Sequence, residues 1–270
     1  MNRAEGIDIS FWESIIDWTL LSKAIDFLWI KTSEDNFIDK MFQTHRANAR
    51  MYGKPWGGYH FWRANPSYGG IKQAELLVTQ LGNDVGQLPP MFDFEDIRNS
   101  YGEGYAWQSN QAQIFCNRIE ALIGKRPVIY TGSGVTQPYG KLLTWMNAYD
   151  GWLAQYPWSK RTDFVQNYTY LERQAITTKF APILPATTTI EPSLTNTPFT
   201  KWMLWQFTGN GRKPGLPGDV DVEVYNGTID DMAKQYGFVS IPTPVPETWE
   251  VAIDGWARKQ PNPYTGISPS

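Results

Sequence analysis

The chain has 270 residues, enough for one large α/β domain with or without a small appendage. Its net charge is −3 and no cluster of Lys and Arg stands out, which argues against a nucleic-acid groove or an anionic membrane surface as its target. One cysteine, Cys116, cannot form an intrachain disulfide, and two histidines without a Cys/His cluster argue against a zinc site.

Strand-like and helix-like segments alternate through the first 155 residues, a pattern typical of a parallel sheet with helices outside it. Short apolar runs predict strands over residues 6–10, 27–31, 56–61, 91–95, 127–131 and 151–155. Apolar residues at helical spacing predict helices over residues 17–24, 39–51, 70–81 and 110–123.

The alternation ends after Tyr156. Residues 157–200 are rich in Thr, Pro and Tyr, and we interpret them as a long insertion or an irregular strand pair. Strands are predicted again over residues 201–207 and 220–225, and a helix over residues 229–236. The domain prediction is therefore a domain over residues 1–239, a Pro-rich linker at 240–246, and a tail or truncated second module at 247–270.

Two carboxylates stand in residues 90–96, which are predicted to form a short buried strand. Side chains alternate along a strand, so Asp93 and Glu95 share one face while Phe92 and Phe94 share the other. Two carboxylates with Cα atoms about 6.5–7 Å apart cannot both ionise cheaply in an interior, so one should keep its proton near neutral pH. Acid-assisted cleavage of a glycosidic bond needs such a proton. The alternative is a structural carboxylate pair held by Arg or Lys.

Seven short motifs follow one another, most of them at predicted strand ends. They are Gly6-Ile-Asp-Ile-Ser10, Ile30-Lys-Thr-Ser-Glu34, Gly58-Tyr-His-Phe61, Met91-Phe-Asp-Phe-Glu95, Trp152-Leu-Ala-Gln-Tyr156, Trp205-Gln-Phe207 and Val220-Asp221. This ordered series, over roughly residues 6–236, resembles glycoside hydrolase family 25, the muramidases that cut peptidoglycan. The resemblance implies an α/β fold, an irregular TIM-like (β/α) barrel of parallel strands with fewer outer helices than a full eightfold barrel. Its groove would lie at the carboxyl ends of the strands.

Carried over by position, the resemblance implies that Glu95 is the general acid. Asp93 would stabilise the positive charge on the sugar or orient the acetamido group of the substrate, and Asp8 and Asp221 would polarise and position the substrate. Asp219, two residues before Asp221, is an alternative for the last role. Six further residues are predicted to bind substrate: Tyr59, His60, Tyr130, Trp152, Gln155 and Glu34. Of these, His60 is expected to position other groups rather than to transfer protons.

The chain also departs from the family pattern. Asp35 stands where the family usually has Gly, and Glu223 stands where it usually has Asn. Three tryptophans, Trp12, Trp62 and Trp158, are candidates for stacking on sugars, although core packing explains each of them equally well.

The resemblance implies hydrolysis of the β-1,4 bond between N-acetylmuramic acid and N-acetylglucosamine, with net retention and without a metal or redox cofactor. Two alternatives stay open: a glycosidase of another N-acetylated glycan, such as a chitinase-type enzyme, and a non-catalytic glycan-binding or phage structural module. The Asp-x-x-Asp-x-Asp-x-Glu strand of a chitinase is absent, and the set of four acids argues against a binding module.

We expect a monomer that acts on peptidoglycan of the extracellular cell wall and binds neither nucleic acid nor membrane. No apolar segment typical of a secretion signal follows Met1, which fits a phage-encoded endolysin released at lysis.

Overall fold

The computed structural model describes residues 3–96, 101–156 and 191–240, and the backbone of residues 249–251 and 257–259. Within these ranges, eight strands close into a barrel and six helices accompany it. The barrel strands are β1 (Glu5–Ile9), β2 (Phe27–Glu34), β4 (Trp56–Phe61), β5 (Met91–Asp93), β6 (Val128–Thr131), β7 (Gly151–Ala154), β8 (Leu204–Gly211) and β9 (Val220–Tyr225). The helices are α1 (Trp18–Leu21), α2 (Phe42–Met51), α3 (Gly70–Leu81), α4 (Tyr105–Ile123), α5 (Ser133–Thr136) and α6 (Ile229–Tyr236). The predicted irregular TIM-like barrel is confirmed.

Strand direction shows how the barrel differs from a regular one. Neighbouring strands are parallel from β1 through β2, β4, β5, β6 and β7 to β8. The ring closes through β9, which is antiparallel to both β8 and β1. The expectation of parallel strands throughout was therefore wrong for β9. Because β9 runs backwards, its first residues lie at the same end of the barrel as the last residues of the other strands.

Alternation along the strands divides the apolar residues into two layers. Residues such as Phe27, Trp29 and Trp152 fill the inside of the barrel. Residues such as Leu28 and Ile30 belong instead to the core that includes helix residues such as Phe115. Gly6 leaves the space that the Phe27 ring fills in the inner layer, because a Cβ at this position would lie 2.1 Å from that ring.

The largest differences between predicted and observed boundaries occur at α4 and β8. Helix α4 begins at Tyr105 and not at Asn110, because its first turns bury polar residues that hide the apolar period. Gln108, for example, is fully buried and accepts a hydrogen bond of 2.6 Å from the Tyr139 hydroxyl. The strand predicted over residues 201–207 is shifted to Leu204–Gly211, where its last residues pair irregularly with β9.

Several short elements were not predicted. They are the hairpin strand β3 (Phe37–Ile38), helix α5, the 3₁₀ segment Gln137–Ala148, and the strand pair β10 (Trp249–Val251) and β11 (Ala257–Lys259). Residues 157–190 of the predicted insertion, 241–246 of the linker and most of the tail lie outside the described residues. The division into domain, linker and tail stays a prediction. Among the described helices, none has the length and apolar character needed to cross a membrane.

Candidate active site

An acid-lined cavity of about 170 Å³ opens at the carboxyl ends of the parallel strands. Five of its lining residues are acidic and one is basic. The acidic residues are Asp8, Glu13, Asp93, Glu95 and Asp221, and the basic residue is Lys31. Tyr59, Tyr130, Gln206, Trp12 and Phe61 are among the others. All four predicted catalytic acids are thus brought together in one place.

The first carboxylate pair lies at the end of β5, where Asp93 is the last residue of the strand and Glu95 follows two positions later. Asp93 and Glu95 both line the cavity, whereas Phe92 and Phe94 are fully buried in the outer core, as alternation predicts. Burial raises the pKa of Glu95 to about 7, although the positive charges of Lys31 and Arg63 oppose the shift. Burial and the charge of Glu95 raise the pKa of Asp93 well above its ordinary value. Both shifts disfavour the ionised forms, so Glu95 keeps its proton on a large share of molecules near neutral pH.

Asp8 and Asp221 form the second carboxylate pair. They stand directly opposite each other in the antiparallel ladder of β1 and β9. Burial, followed by the charge of Asp221, raises the pKa of Asp8, and burial raises that of Asp221 to about 7. Asp219 points elsewhere, because its carboxylate lies 2.5 Å from the Arg212 guanidinium. Of the two candidates on this segment, Asp221 is the one in the cavity.

Three polar side chains that were not predicted complete the site. Gln206 donates a 2.9 Å hydrogen bond to Asp8 and accepts one of 2.8 Å from the Tyr130 hydroxyl. Lys31 lies 2.5 Å from Glu34 and is the only cation among the described lining residues. Glu13 accepts a 2.8 Å bond from the Ser10 backbone. Alternation could have revealed two of them, since Lys31 follows inward-facing Trp29 by two residues and Gln206 stands between outward-facing Trp205 and Phe207.

No set of three or more His, Cys, Asp or Glu side chains in the described ranges is arranged to hold a metal ion. The chemistry available to the cavity is that of its carboxyl groups, which can donate protons and stabilise positive charge.

Comparison with known proteins shows the family of the chain. The model of the glycosyl hydrolases family 25 matches residues 7–216. The chain belongs to glycosyl hydrolase family 25. It is therefore a glycoside hydrolase, and the predicted family resemblance is confirmed.

Two relatives and one solved structure are each identical to this chain at about a quarter of the aligned positions. Lysozyme M1 of Streptomyces globisporus is 27% identical over 237 residues, which are 83% of this chain and 68% of that protein. The uncharacterized protein YegX of Escherichia coli O6:H1 is 26% identical over 241 residues, covering 87% of this chain and 72% of its own length. The bacterial lysozyme of Streptomyces coelicolor has a similar fold, with a TM-score of 0.66 and 24% identity. That comparison covers 88% of this chain and all of the other.

His60, which stands next to Tyr59 in the motif Gly58-Tyr-His-Phe61, does not line the cavity. The two residues are adjacent on β4, so their side chains point to opposite faces. Tyr59 faces the cavity, while His60 is fully buried in the outer layer, 5.3 Å from the Phe115 ring. Its Nδ1 lies 2.8 Å from the Ser33 hydroxyl and its Nε2 2.9 Å from the Gln73 amide oxygen. Burial lowers its pKa to about 4, which leaves a neutral ring suited to positioning its neighbours.

Three other predicted substrate-binding residues also stand outside the cavity lining. Trp152 is fully buried inside the barrel, 4.8 Å from the Trp29 ring, one layer beneath the acids. Gln155 is held by the backbone of Ser193, with a bond of 2.6 Å to its amide oxygen. Glu34 is not part of the lining, but it accepts a hydrogen bond from Lys31, which is.

The tryptophan candidates for sugar stacking separate clearly. Trp12 lines the cavity with 77% of its surface exposed, whereas Trp62 is buried in the core. The Trp12 ring lies 4.4 Å from the Phe11 ring, so two aromatic rings stand together at the edge of the cavity. Trp158 lies outside the described residues.

Asp35 shows why family 25 usually has glycine at this point. Its φ is +47°, in the left-handed region that favours glycine. The Asp35 carboxylate accepts hydrogen bonds of 2.9 and 3.1 Å from the Asn65 amide and one of 2.8 Å from the Tyr101 hydroxyl. These bonds offset the backbone strain and tie the turn after β2 to two other loops.

Glu223, the second departure from the family pattern, lies beneath the acids. It is fully buried opposite Gly6 and Gln206, and among the described residues neither of its carboxyl oxygens has a hydrogen-bond partner. Burial, followed by the charges of Asp8 and Asp221, raises the pKa of Glu223 well above its ordinary value. Burial therefore favours the neutral form of Glu223 in the folded protein.

Replacing Glu223 by Gln should change how stability depends on pH. The folded pKa is raised, so the contribution of Glu223 to stability is complete below its unfolded pKa of about 4.5 and is lost as pH rises above that value. Glu223→Gln cannot ionise when unfolded and should gain on the order of 1–3 kcal/mol over the parent between pH 4 and pH 8. Thermal melts should show this as about 2–4 °C per kcal/mol.

The half-exposed Glu120 on α4 gives the control for that measurement. Glu120→Gln removes a carboxylate of the same length at the surface, and its melting temperature should follow the parent across the pH series. Equal pH dependence in the parent and in Glu223→Gln would show that Glu223 is not held neutral.

Proposed function

We propose that this chain is an N-acetylmuramidase, which hydrolyses the β-1,4 bond between N-acetylmuramic acid and N-acetylglucosamine in bacterial peptidoglycan. The observation that carries the proposal is the pair Asp93 and Glu95 at the end of β5, inside an acid-lined cavity. Membership of family 25 and the likeness to two proteins named lysozyme support it.

Glu95 is the general acid of the proposed reaction. Its pKa of about 7 keeps a large share of the side chain protonated near neutral pH, so it can protonate the leaving glycosidic oxygen. Glu95 is also the more accessible of the two β5 carboxyls, since Asp93 is only 5% exposed. The longer side chain thus reaches into the cavity from the strand end.

Asp93 stabilises the positive charge that develops on the sugar or orients the acetamido group for attack on the anomeric carbon, with net retention. Positive charge on the sugar favours ionised Asp93, and an ionised Asp93 helps to keep the proton on Glu95, which donates it to the leaving oxygen.

The opposite pair, Asp8 and Asp221, holds and polarises the substrate from the β1–β9 side of the cavity. Tyr59 and Tyr130 complete the wall between the two pairs, and Trp12 offers an exposed ring for stacking on a sugar. All of these residues belong to one chain, so the proposal needs no second subunit. Its place of action is the cell wall.

Identification of the sugar at the new reducing end tests the proposal. Purified peptidoglycan is incubated with the protein, the new ends are reduced with borohydride, and the resulting sugar alcohols are separated after acid hydrolysis. We expect reduced muramic acid. Reduced glucosamine would keep the hydrolase and overturn the bond assignment. Protein that binds walls of several types without releasing ends would indicate a binding module.

A further inference from the structure

Within the part of the chain that the structure describes, the last backbone hydrogen bonds at the end of β5 are those of Asp93 and Phe94. The Trp62 backbone amide donates a 3.0 Å bond to the Asp93 carbonyl, and the Phe94 amide donates one of 2.9 Å to Tyr130. Strand β5 itself ends at Asp93. A catalytic side chain must hold its geometry closely, since misplacement by about 1 Å can cost on the order of a hundredfold in rate. The next attachment along the chain therefore matters for Glu95.

That attachment is Asp96, whose side chain is 1% exposed. Its Oδ1 accepts a 2.9 Å bond from Nη1 of Arg63. The other end of the same guanidinium donates to Oε1 of Glu34, over 3.0 Å from Nε and 2.7 Å from Nη2. Arg63 thus joins the loop after β5 to the end of β2. One planar group with several donors in a fixed fork can make all these bonds at once, whereas lysine cannot.

Arg63 is itself held by the fully buried Gln73. The Gln73 amide oxygen accepts from the Arg63 backbone N–H over 3.2 Å, and its amide nitrogen donates to the Arg63 carbonyl over 2.7 Å. His60 fixes the same amide through its 2.9 Å contact. The guanidinium also packs over the Phe61 ring at 4.4 Å, and Phe61 lines the cavity. Arg63 is thereby anchored at both its backbone and its side chain.

We propose that Arg63 is the positioning residue of this site: by holding Asp96, it fixes the backbone on the far side of Glu95 and so directs the Glu95 carboxyl into the cavity. The inference rests on the proposed role of Glu95 as the general acid. The bonds from Asn65 and Tyr101 to Asp35 run beside the Glu34–Arg63–Asp96 bridge and join the same three loops. The outward-facing His60 also gains a role here, since it supports Arg63 through Gln73.

Variants of Asp96 test whether the anchor or only its charge matters. Asp96→Ala removes the acceptor and should lower kcat on soluble peptidoglycan fragments by about ten- to a hundredfold, with little change in KM. Asp96→Asn keeps an oxygen that can accept from Arg63 and should restore most of kcat. A purely structural role would lower the folded fraction, so rates are normalised to folded protein measured by circular dichroism.

Variants of Arg63 separate its geometry from its charge. Arg63→Lys keeps the charge but cannot bridge Glu34 and Asp96 together, so kcat should fall by about tenfold. The alkaline limb of the pH–rate profile, where activity falls as Glu95 ionises, should stay at the same pH because the positive charge is kept. Arg63→Gln should also move that limb to higher pH, because the Arg63 charge lowers the Glu95 pKa. Lys31, Glu34 and Asp93 are the other charged groups in this surrounding, and they are unchanged in both variants.

The matched control is Arg118→Lys, at an ion pair of 2.6 Å with Glu75 between α3 and α4. It should leave kcat unchanged. The proposal is overturned if Asp96→Ala and Arg63→Lys keep the parental kcat while Glu95→Gln loses activity, or if Asp96→Asn loses as much as Asp96→Ala. Failure of the parent protein to release reducing ends would instead count against the proposed function.

Discussion

Glu95→Gln is expected to lower kcat for the release of reducing ends from peptidoglycan by about 10²–10⁴-fold. Positioned proton transfer contributes that much, and an amide cannot protonate the leaving oxygen. The substitution preserves side-chain length, so binding to sedimented walls should match the parent. The melting temperature at neutral pH should be no lower than that of the parent, because an amide does not carry the cost of burying an ionisable carboxyl. Initial rates on the same wall preparation provide the measurement. A loss below about tenfold would remove Glu95 from the role of general acid.

The pH profile offers a second readout of the same assignment. A general acid works only while protonated, so kcat/KM should fall as pH rises through the Glu95 pKa of about 7. The pKa of Asp221 is also raised to about 7, which makes Asp221→Asn the necessary control. If the alkaline limb persists in Asp221→Asn, it belongs to the β5 pair. If it disappears, Asp221 is the group whose ionisation ends activity.

The sequence contained enough to place the four acids, because strand alternation and the order of the motifs are local properties. Asp93 and Glu95 share a face for the same reason that Phe92 and Phe94 share the other. The same rule, applied to Gly58-Tyr-His-Phe61, separates Tyr59 from His60. Treating that motif as a unit of the groove led to the wrong position for His60, although its predicted positioning role agrees with its contacts to Ser33 and Gln73.

Depth inside the barrel was harder to predict than the face. Trp152 points inward as expected, but it fills the layer beneath the acids, and its distance from the cavity depends on the stagger of neighbouring strands. The depth of Glu223 was equally hard to predict. Its departure from the family Asn was evident in the sequence, yet only the pairing of β9 with β1 and β8 shows that it is buried beneath Asp8.

Long-range polar contacts were out of reach for a different reason. The bridge from Glu34 through Arg63 to Asp96 joins residues about 30 positions apart in sequence, and nothing local in the chain marks them as partners. The strand direction of β9 is similar, because a short strand reads the same in either direction. Tertiary packing decides both features, and both shape the site.

Asp93→Asn is the second substitution for which we expect a large loss, about 10²–10³-fold in kcat, typical of removing one group that stabilises charge in the transition state. Its Oδ1 is buried and has no hydrogen-bond partner in the described ranges of the chain, so an amide of the same shape breaks no bond seen at that atom. Activity within about tenfold of the parent would contradict the assignment.

A substrate series then separates the two roles open to Asp93. If Asp93 orients the acetamido group, N-deacetylated peptidoglycan removes the group on which it acts, and the parent and Asp93→Asn should become similarly slow. If Asp93 stabilises the positive charge on the sugar directly, the ratio of their rates should be the same on acetylated and deacetylated walls, because the two changes would then be independent. The coupling between substitution and substrate, measured as a double cycle, therefore distinguishes assistance by the substrate from direct electrostatic stabilisation by the protein.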